Sequence, residues 1–503
     1  MIVISRKKKL ALNTISSLLF QTTTVICGFI LPRMILGTYG SDVNGLVSSI
    51  AQFLGVISLL DLGVGAVVQS SLYKPLAEND IDSISKIYVS ANRFFRKIAL
   101  IFVIYVIVLI VTYPLFAQNK FDYIFNSTLI AVMCISSFAQ YYYGIVNSLL
   151  LSANQKGYIQ YTASIIALVL NTIVCSILIN LGGSIQVVKL ISSLLFVIKP
   201  LYLHLYVKRH YRINYNITYE NEPIKQKWNG MAQHIAAFVL NGTDNIVLTL
   251  FSTLANVSIY SVYNIVILGV KNAFLSMTTG LQSLIGEMLA KKEIDRLKNL
   301  FLYVEWTLHT ATVLLFGCTS VLLVSFIRVY TKGIDDADYI QPVFAILITM
   351  ANAGHCLRLP YNILILAAGH YKQTQKNYIV AMFMNIIISI ATVKIWGLVG
   401  VAIGTLVAML YQTIWMAWYN SKHIIKWPFK NFVVQCIVDI VSILFGYLLT
   451  FKIPLLSVSY KSWILLAVEV FSIWCTIIVI LNLIFYRENM TTLFRKIINR
   501  KKD

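Results

Sequence analysis

Apolar positions in this chain come in long runs, each broken by a short polar or basic stretch, and the pattern repeats from one end to the other. The runs lie near 12 to 36, 43 to 69, 98 to 117, 126 to 152, 158 to 181, 186 to 207, 230 to 253, 257 to 285, 301 to 327, 341 to 368, 374 to 396, 399 to 420, 432 to 452 and 462 to 485. At 1.5 Å rise per residue, each can cross a hydrocarbon core of about 30 Å. Backbone groups in lipid must be satisfied within their own segment, which forces helix. The pattern predicts an all-α polytopic membrane protein of about fourteen transmembrane helices.

Composition rules out a soluble globule. Hydrophobic residues make up 58% of the 503 and charged residues 12%, where a soluble chain carries about 25% charge. The net charge of +21 would suggest nucleic acid in a soluble protein, but here the cations follow topology. They cluster at Arg6 to Lys9, Lys74 to Lys97, Lys156, Lys208 to Lys227, Lys291 to Lys298, Lys372 and Lys376, Lys422 to Lys430, and Arg487 to Lys502. These segments alternate to one side. The other side holds Lys120, Arg328, Lys332, Lys452 and Lys461. The positive-inside rule then places both termini in the cytoplasm, which an even number of spans satisfies. The apolar stretch after Lys9 is a full span with no clean cleavage site, so it is read as the first helix. All seven Cys are scattered singly without metal spacing, and no cofactor is implied.

The two halves align at a constant offset. Gly55 falls on Gly269, Asn171 on Asn385 and Gly183 on Gly397, each 214 residues apart, and the hydropathy follows the same shift. This predicts a parallel repeat of six spans in an N-terminal lobe (1–215) and six in a C-terminal lobe (216–430), with two further helices and a basic tail over 431–503.

Five segments carry a resemblance: LPRMILGTYGSDVNGLVSSI at 31–50, LLDLGVGAVVQSSLYKPLAEND at 59–80, NGTDNIVL at 241–248, IYSVYNI at 259–265 and WGLVGVAIGT at 396–405. Together they resemble the polysaccharide transporter branch of the multidrug/oligosaccharidyl-lipid/polysaccharide exporter superfamily, over nearly the whole chain. The resemblance implies a two-lobed flippase in the bacterial cytoplasmic membrane. It would move undecaprenyl-diphosphate-linked oligosaccharide outward by alternating access, alongside the glycan polymerase and glycosyltransferases of the same pathway.

Intramembrane charges point to a site independently, because each costs about 2.5 to 3.5 kcal/mol at a helix centre and tends to face a cavity. They are Arg33, Asp61, Asp244, Lys271, Arg358, Asp439 and Glu469. Asn264, Lys271, Thr278 and Gln282 are spaced to share one face of the eighth span. Asn352, His355, Arg358 and Asn362 form a stripe on the tenth, near Pro360. Asn241, Asp244 and Asn245 lie on the seventh, and Asn13, Ser17, Gln21, Thr24 and Gly28 give the first a small, polar face. A diphosphate lipid brings negative charge and sugar hydroxyls, so fixed cations (Arg33, Lys271, Arg358) with amide donors between them suit it. Asp61 and Asp244 are read as counter-ions or as proton or sodium sites. Each has a plainer reading: Arg33 snorkels beside Pro32, Lys271 or Arg358 pairs with an acid such as Asp244, Asp61 makes an interhelical hydrogen bond, and His355 is a satisfied polar residue. Asp439 and Glu469 lie outside the repeat and are read as packing or a lateral lipid groove.

No phosphate-binding loop occurs, and no loop is large enough for a motor domain or a polymerase site, so the expectation is a transporter and not an enzyme. Two alternatives remain: a multidrug/cation antiporter, which calls for carboxylates and aromatic walls, and, from another class, an integral-membrane glycan polymerase. Segments 81–97 and 291–300 read as short interfacial helices. Pro32, Gly63, Gly65 and Pro360 are read as bending points.

Overall fold

The computed structural model describes residues 6–60, 64–116, 120–224, 231–278 and 281–499. It divides into two compact units. The first comprises 1–238 with 252–258, and the second 239–251 with 259–503.

The first unit is built from α1 (Arg6–Gly55), α2 (Val64–Glu78), α3 (Ile81–Phe116), α4 (Tyr123–Ala139), α5 (Ile145–Ala153), α6 (Gly157–Asn180) and α7 (Ile185–His210). The first two predicted spans form one 50-residue helix with a break at Gly40, where φ is 83° and ψ 176°. That conformation is open essentially to glycine alone. The break therefore sits eight residues past Pro32, which α1 accommodates without interruption. The second predicted span ends early, in a tight turn over Val56–Leu60 ahead of α2. Asp61 and Gly63 lie outside the described residues. Buried polar links fix the packing: Tyr113 donates to Ser49 Oγ at 2.8 Å, Tyr105 to the Phe53 carbonyl at 2.8 Å, and Tyr88 to Asn147 Oδ1 at 2.9 Å. Between α4 and α5 the helix widens by one residue over Gln140–Gly144.

The second unit contains α8 (Met231–Phe251), α9 (Leu254–Met277), α10 (Leu281–Ala290), α11 (Ile294–Tyr330), α12 (Pro342–Ala367), α13 (Tyr371–Trp396), α14 (Leu398–Tyr419), α15 (Lys430–Thr450), α16 (Tyr460–Phe485) and α17 (Arg487–Asn499), except the ends of α8 and α9 that belong to the first. α13 and α14 approach closely, since a Cβ on Gly404 would overlap Ser389 Oγ. The fully buried Trp474 of α16 seats against Gly317 of α11 and Gly446 of α15, and donates to Thr450 Oγ1 at 3.2 Å. That contact anchors the two helices that have no counterpart in the repeat.

Shifted by 214, the bounds of α3 become 295–330 and those of α6 become 371–394. These nearly coincide with α11 and α13. Twelve stretches among the described residues are long and apolar enough to cross a membrane. With the first, Ala11–Leu60, counted as two at Gly40, and with the 21-residue α8 (about 31 Å) added, the fourteen of the sequence reading are present. The chain is an all-helical, multi-pass membrane protein. Segments 81–97 and 291–300 are not separate interfacial helices. Residues 81–97 and 294–300 are the opening turns of α3 and α11, continuous helices of 36 and 37 residues, because neither Pro nor Gly interrupts the join, while 291–293 form the turn after α10.

Candidate functional site

The polar residues of the second unit form two centres. In the first, Asp244 of α8 is buried and accepts a hydrogen bond from Tyr260 at 2.9 Å, while the Thr405 hydroxyl lies 3.0 Å from each of its oxygens. Asn385 Nδ2 donates to Thr405 Oγ1 at 3.0 Å, and Thr243 donates to Asn385 Oδ1 at 3.1 Å. This chain of oxygen and amide groups ties α8, α9, α13 and α14 together and accounts for the carboxylate of Asp244 through hydroxyls.

The cations lie beside that chain of bonds. Lys271 on α9 is 7% exposed and Arg358 on α12 4% exposed, the two are within Coulombic range of each other and of Cys356, and Lys271 is also within range of Asp244. Arg358 Nη2 donates to His355 Nδ1 at 3.0 Å, which assigns His355 the role of a neutral acceptor. Arg358 Nε and Nη1 have no hydrogen-bond partner among the described residues. The same is true of both amide atoms of Asn377 on α13 and of Gln412 on α14, and of the Thr349 hydroxyl on α12. Buried polar groups are ordinarily paired, and a buried cation all the more so. The Arg358 guanidinium therefore has two donors available to further acceptor atoms.

The predicted stripe on α12 is present, with its members engaged differently. Asn352 bonds back to the Ile348 carbonyl at 3.0 Å, and Asn362 accepts from Tyr378 on α13. The predicted stripe of the eighth span is not one face of one helix. α9 ends at Met277, so Thr278 lies beyond it and Gln282 is exposed on α10, while Asn264 and Lys271 remain two turns apart on α9. The side chain of Asn241, on α8, is outside the described residues. Arg33 is half-buried in the first unit, and its Nη1 lies 3.0 Å from where a Cβ on Gly37 would stand, so the guanidinium lies over the next turn of its own helix. Asn13, half-buried on α1, is engaged with the start of α6. Its side chain donates to the Gln155 carbonyl at 3.0 Å and accepts from Tyr158 N at 2.7 Å, clamping α1 to the start of α6.

Of the second centre the sequence reading named only Asp439, as packing or a lateral lipid groove. Glu305 and His309 of α11, Tyr361 of α12 and Asp439 of α15 form one buried hydrogen-bonded cluster. Glu305 and His309 lie inside a predicted span at helical spacing, so counting every ionisable residue in the spans would have found them. The same count finds Lys189 and Lys199 on α7. Glu469 is exposed on α16.

No protein-family model and no curated protein matches the chain. Solved structures do. A lipid II flippase, MurJ, in an inward closed conformation superposes with a TM-score of 0.69 at 15% identity, over 95% of this chain and 99% of its own. An inward-facing multidrug resistance MATE transporter of the MOP superfamily gives 0.60 at 16%, over 80% and 95%. A MOP superfamily transporter from Pyrococcus furiosus, described as having a binding pocket of reverse polarity, gives 0.56 at 15%, over 84% and 97%. The chain has the polytopic fold of these MOP superfamily proteins.

Proposed function

We propose that the protein is a flippase that moves an undecaprenyl-diphosphate-linked oligosaccharide across the bacterial cytoplasmic membrane by alternating access, with both termini in the cytoplasm. One observation carries this reading: the buried guanidinium of Arg358 keeps two donors open beside a second buried cation, Lys271. A diphosphate supplies the acceptor oxygens that the two open Arg358 donors call for. A cation antiporter calls for an open carboxylate, whereas Asp244 is engaged by Tyr260 and Thr405. Asp244 with Thr405, Asn385 and Thr243 is the part of the unit suited to a coupling ion, since it gathers hard oxygen ligands in one place. The glycan polymerase and glycosyltransferases of the same pathway are the proposed partners.

The test is transport of a lipid-linked oligosaccharide by purified protein in liposomes. Lys271→Ala and Arg358→Ala should each reduce flipping by 10-fold or more, because truncating a charge-assisted phosphate contact costs about 1.5 to 3 kcal/mol. Protein abundance should hold, since removing a buried charge also removes its desolvation cost. Wild-type transport by both variants would sink the reading. A fall in abundance rescued by Asp244→Asn would move both cations to an ion-pair role.

A further inference from the structure

The Glu305 cluster takes no part in the anion site, yet it is the most heavily ionisable group of side chains in the second unit. His309, fully buried, places Nδ1 2.6 Å from Asp439 Oδ2 and Nε2 3.1 Å from the Tyr361 hydroxyl. Tyr361 donates to Glu305 Oε1 at 2.5 Å, and Gln435 Nε2 donates to Asp439 Oδ1 at 3.1 Å. The run Glu305, Tyr361, His309, Asp439 is therefore an unbroken relay across α11, α12 and α15. Phe301 and Phe432 pack their rings on it and keep its surroundings apolar. The other titratable groups that face it are Cys436 on α15 and Tyr486 after α16.

A count of hydrogens shows what the relay holds. Its three bonds each need one. Tyr361 and a neutral imidazole bring one apiece, so the third is an exchangeable proton. With that proton the cluster has a formal charge of −1, without it −2, and with a second it is neutral. A proton moves along the relay by breaking one N–H or O–H bond and forming the next, with no heavy atom displaced. The two ends open differently. Asp439 lines a cavity of about 310 Å3 between α11, α12 and α15. Glu305 lines a pocket of about 10 Å3 with Asn420, whose Oδ1 lacks a partner, and that is about the space one water needs.

The repeat supplies an independent argument. Shifted back by 214, Glu305, His309 and Tyr361 fall on Ala91, Phe95 and Asn147 of the first unit, where Ala91 and Phe95 are fully buried apolar core. The same helices thus pack without ionisable groups at the two α3 positions.

We propose that Glu305, Tyr361, His309 and Asp439 form a proton-binding site within the membrane, exchanging H+ through the pocket at Glu305. The site stands apart from the anion site, and its test uses no transported substrate, so either reading can fail alone. The full-length protein in lipid nanodiscs is titrated by pH-difference infrared spectroscopy over about pH 5 to 8, where histidine-linked groups exchange protons. Wild-type protein should show a carboxylic acid carbonyl band that titrates in this range. Glu305→Gln and Asp439→Asn should each remove or shift it, while Glu469→Gln leaves it unchanged. Tyr361→Phe keeps every acid and the imidazole but cuts the relay, and should split one coupled transition into two. A wild-type spectrum without such a band would overturn the proposal, as would a band that Glu305→Gln and Asp439→Asn leave in place. If those variants do not fold, a Tyr361→Phe titration superimposable on wild type overturns it.

Discussion

Asp80 shows how much one exposed side chain settles at a helix junction. α2 ends with Asn79 in a left-handed conformation, φ 55°, and the next residue caps α3: Asp80 Oδ1 accepts from Ser83 N at 3.0 Å. The hydrogen bonds from Ser83, side chain and backbone, hold the Asp80 carboxyl below its usual value. A group whose folded pKa is depressed contributes stability above its unfolded pKa and loses it as pH falls through the folded value. Protection of the Ser83 amide against hydrogen exchange should therefore drop as pH falls below about 4. In Asp80→Asn, which retains a capping oxygen, that drop should vanish; an unchanged pH profile would refute the assignment. The cap is legible in the sequence, as Asn-Asp ahead of an apolar run. The engagement of Asp244 is not, because Tyr260, Asn385 and Thr405 reach it from other helices. That Arg358 keeps two donors open was equally invisible, since pairing is decided in three dimensions.

At the scale of elements, hydropathy located the spans well and the joins between them poorly. A run of apolar residues records where lipid is, whereas a helix ends only where its backbone is interrupted. This is why α3 and α11 run on through segments expected to form separate interfacial helices, and why the broken second span was read as continuous. The stripe on α12 was legible because its helix is uninterrupted from Pro342 to Ala367. The Lys271 stripe failed where α9 stops. Close helix contacts are similarly hidden until seen. Gly45 of α1 meets the opening turn of α9, so that a Cβ there would overlap the Leu254 carbonyl oxygen. Beside it Asn44 donates to Ser258 Oγ at 2.8 Å, a bond between positions 214 apart. Gly45→Ala must push backbone away and should destabilise by about 1 to 3 kcal/mol, read as a lowered midpoint of thermal unfolding in detergent. A midpoint equal to wild type would show that the contact gives way freely.

At the scale of the whole chain, the charge pattern makes the strongest commitment. If basic loops face the cytoplasm, the 208–229 connection and both termini do so together. A cysteine introduced at Asn221, exposed on that loop, should resist an impermeant thiol reagent applied to intact cells and react after permeabilisation. Labelling from outside would invert the topology. The sequence reading proposed a repeat from three matched residues and hydropathy, and the buried cations do not follow its shift. Arg358 falls on Gly144, within the widened turn between α4 and α5, and Lys271 falls on Ile57. Both proposed centres therefore belong to the second unit. The unbroken length of α11 gives that concentration a mechanical consequence. His309 sits inside this rigid rod, somewhat nearer its Ile294 end than its Tyr330 end. A tilt pivoting at the histidine would swing the two ends in opposite directions, and the Tyr330 end further, because displacement at a given angle grows with distance from the pivot. If proton uptake at the proposed site tilted α11 about that point, the two ends of the helix would move in opposite directions.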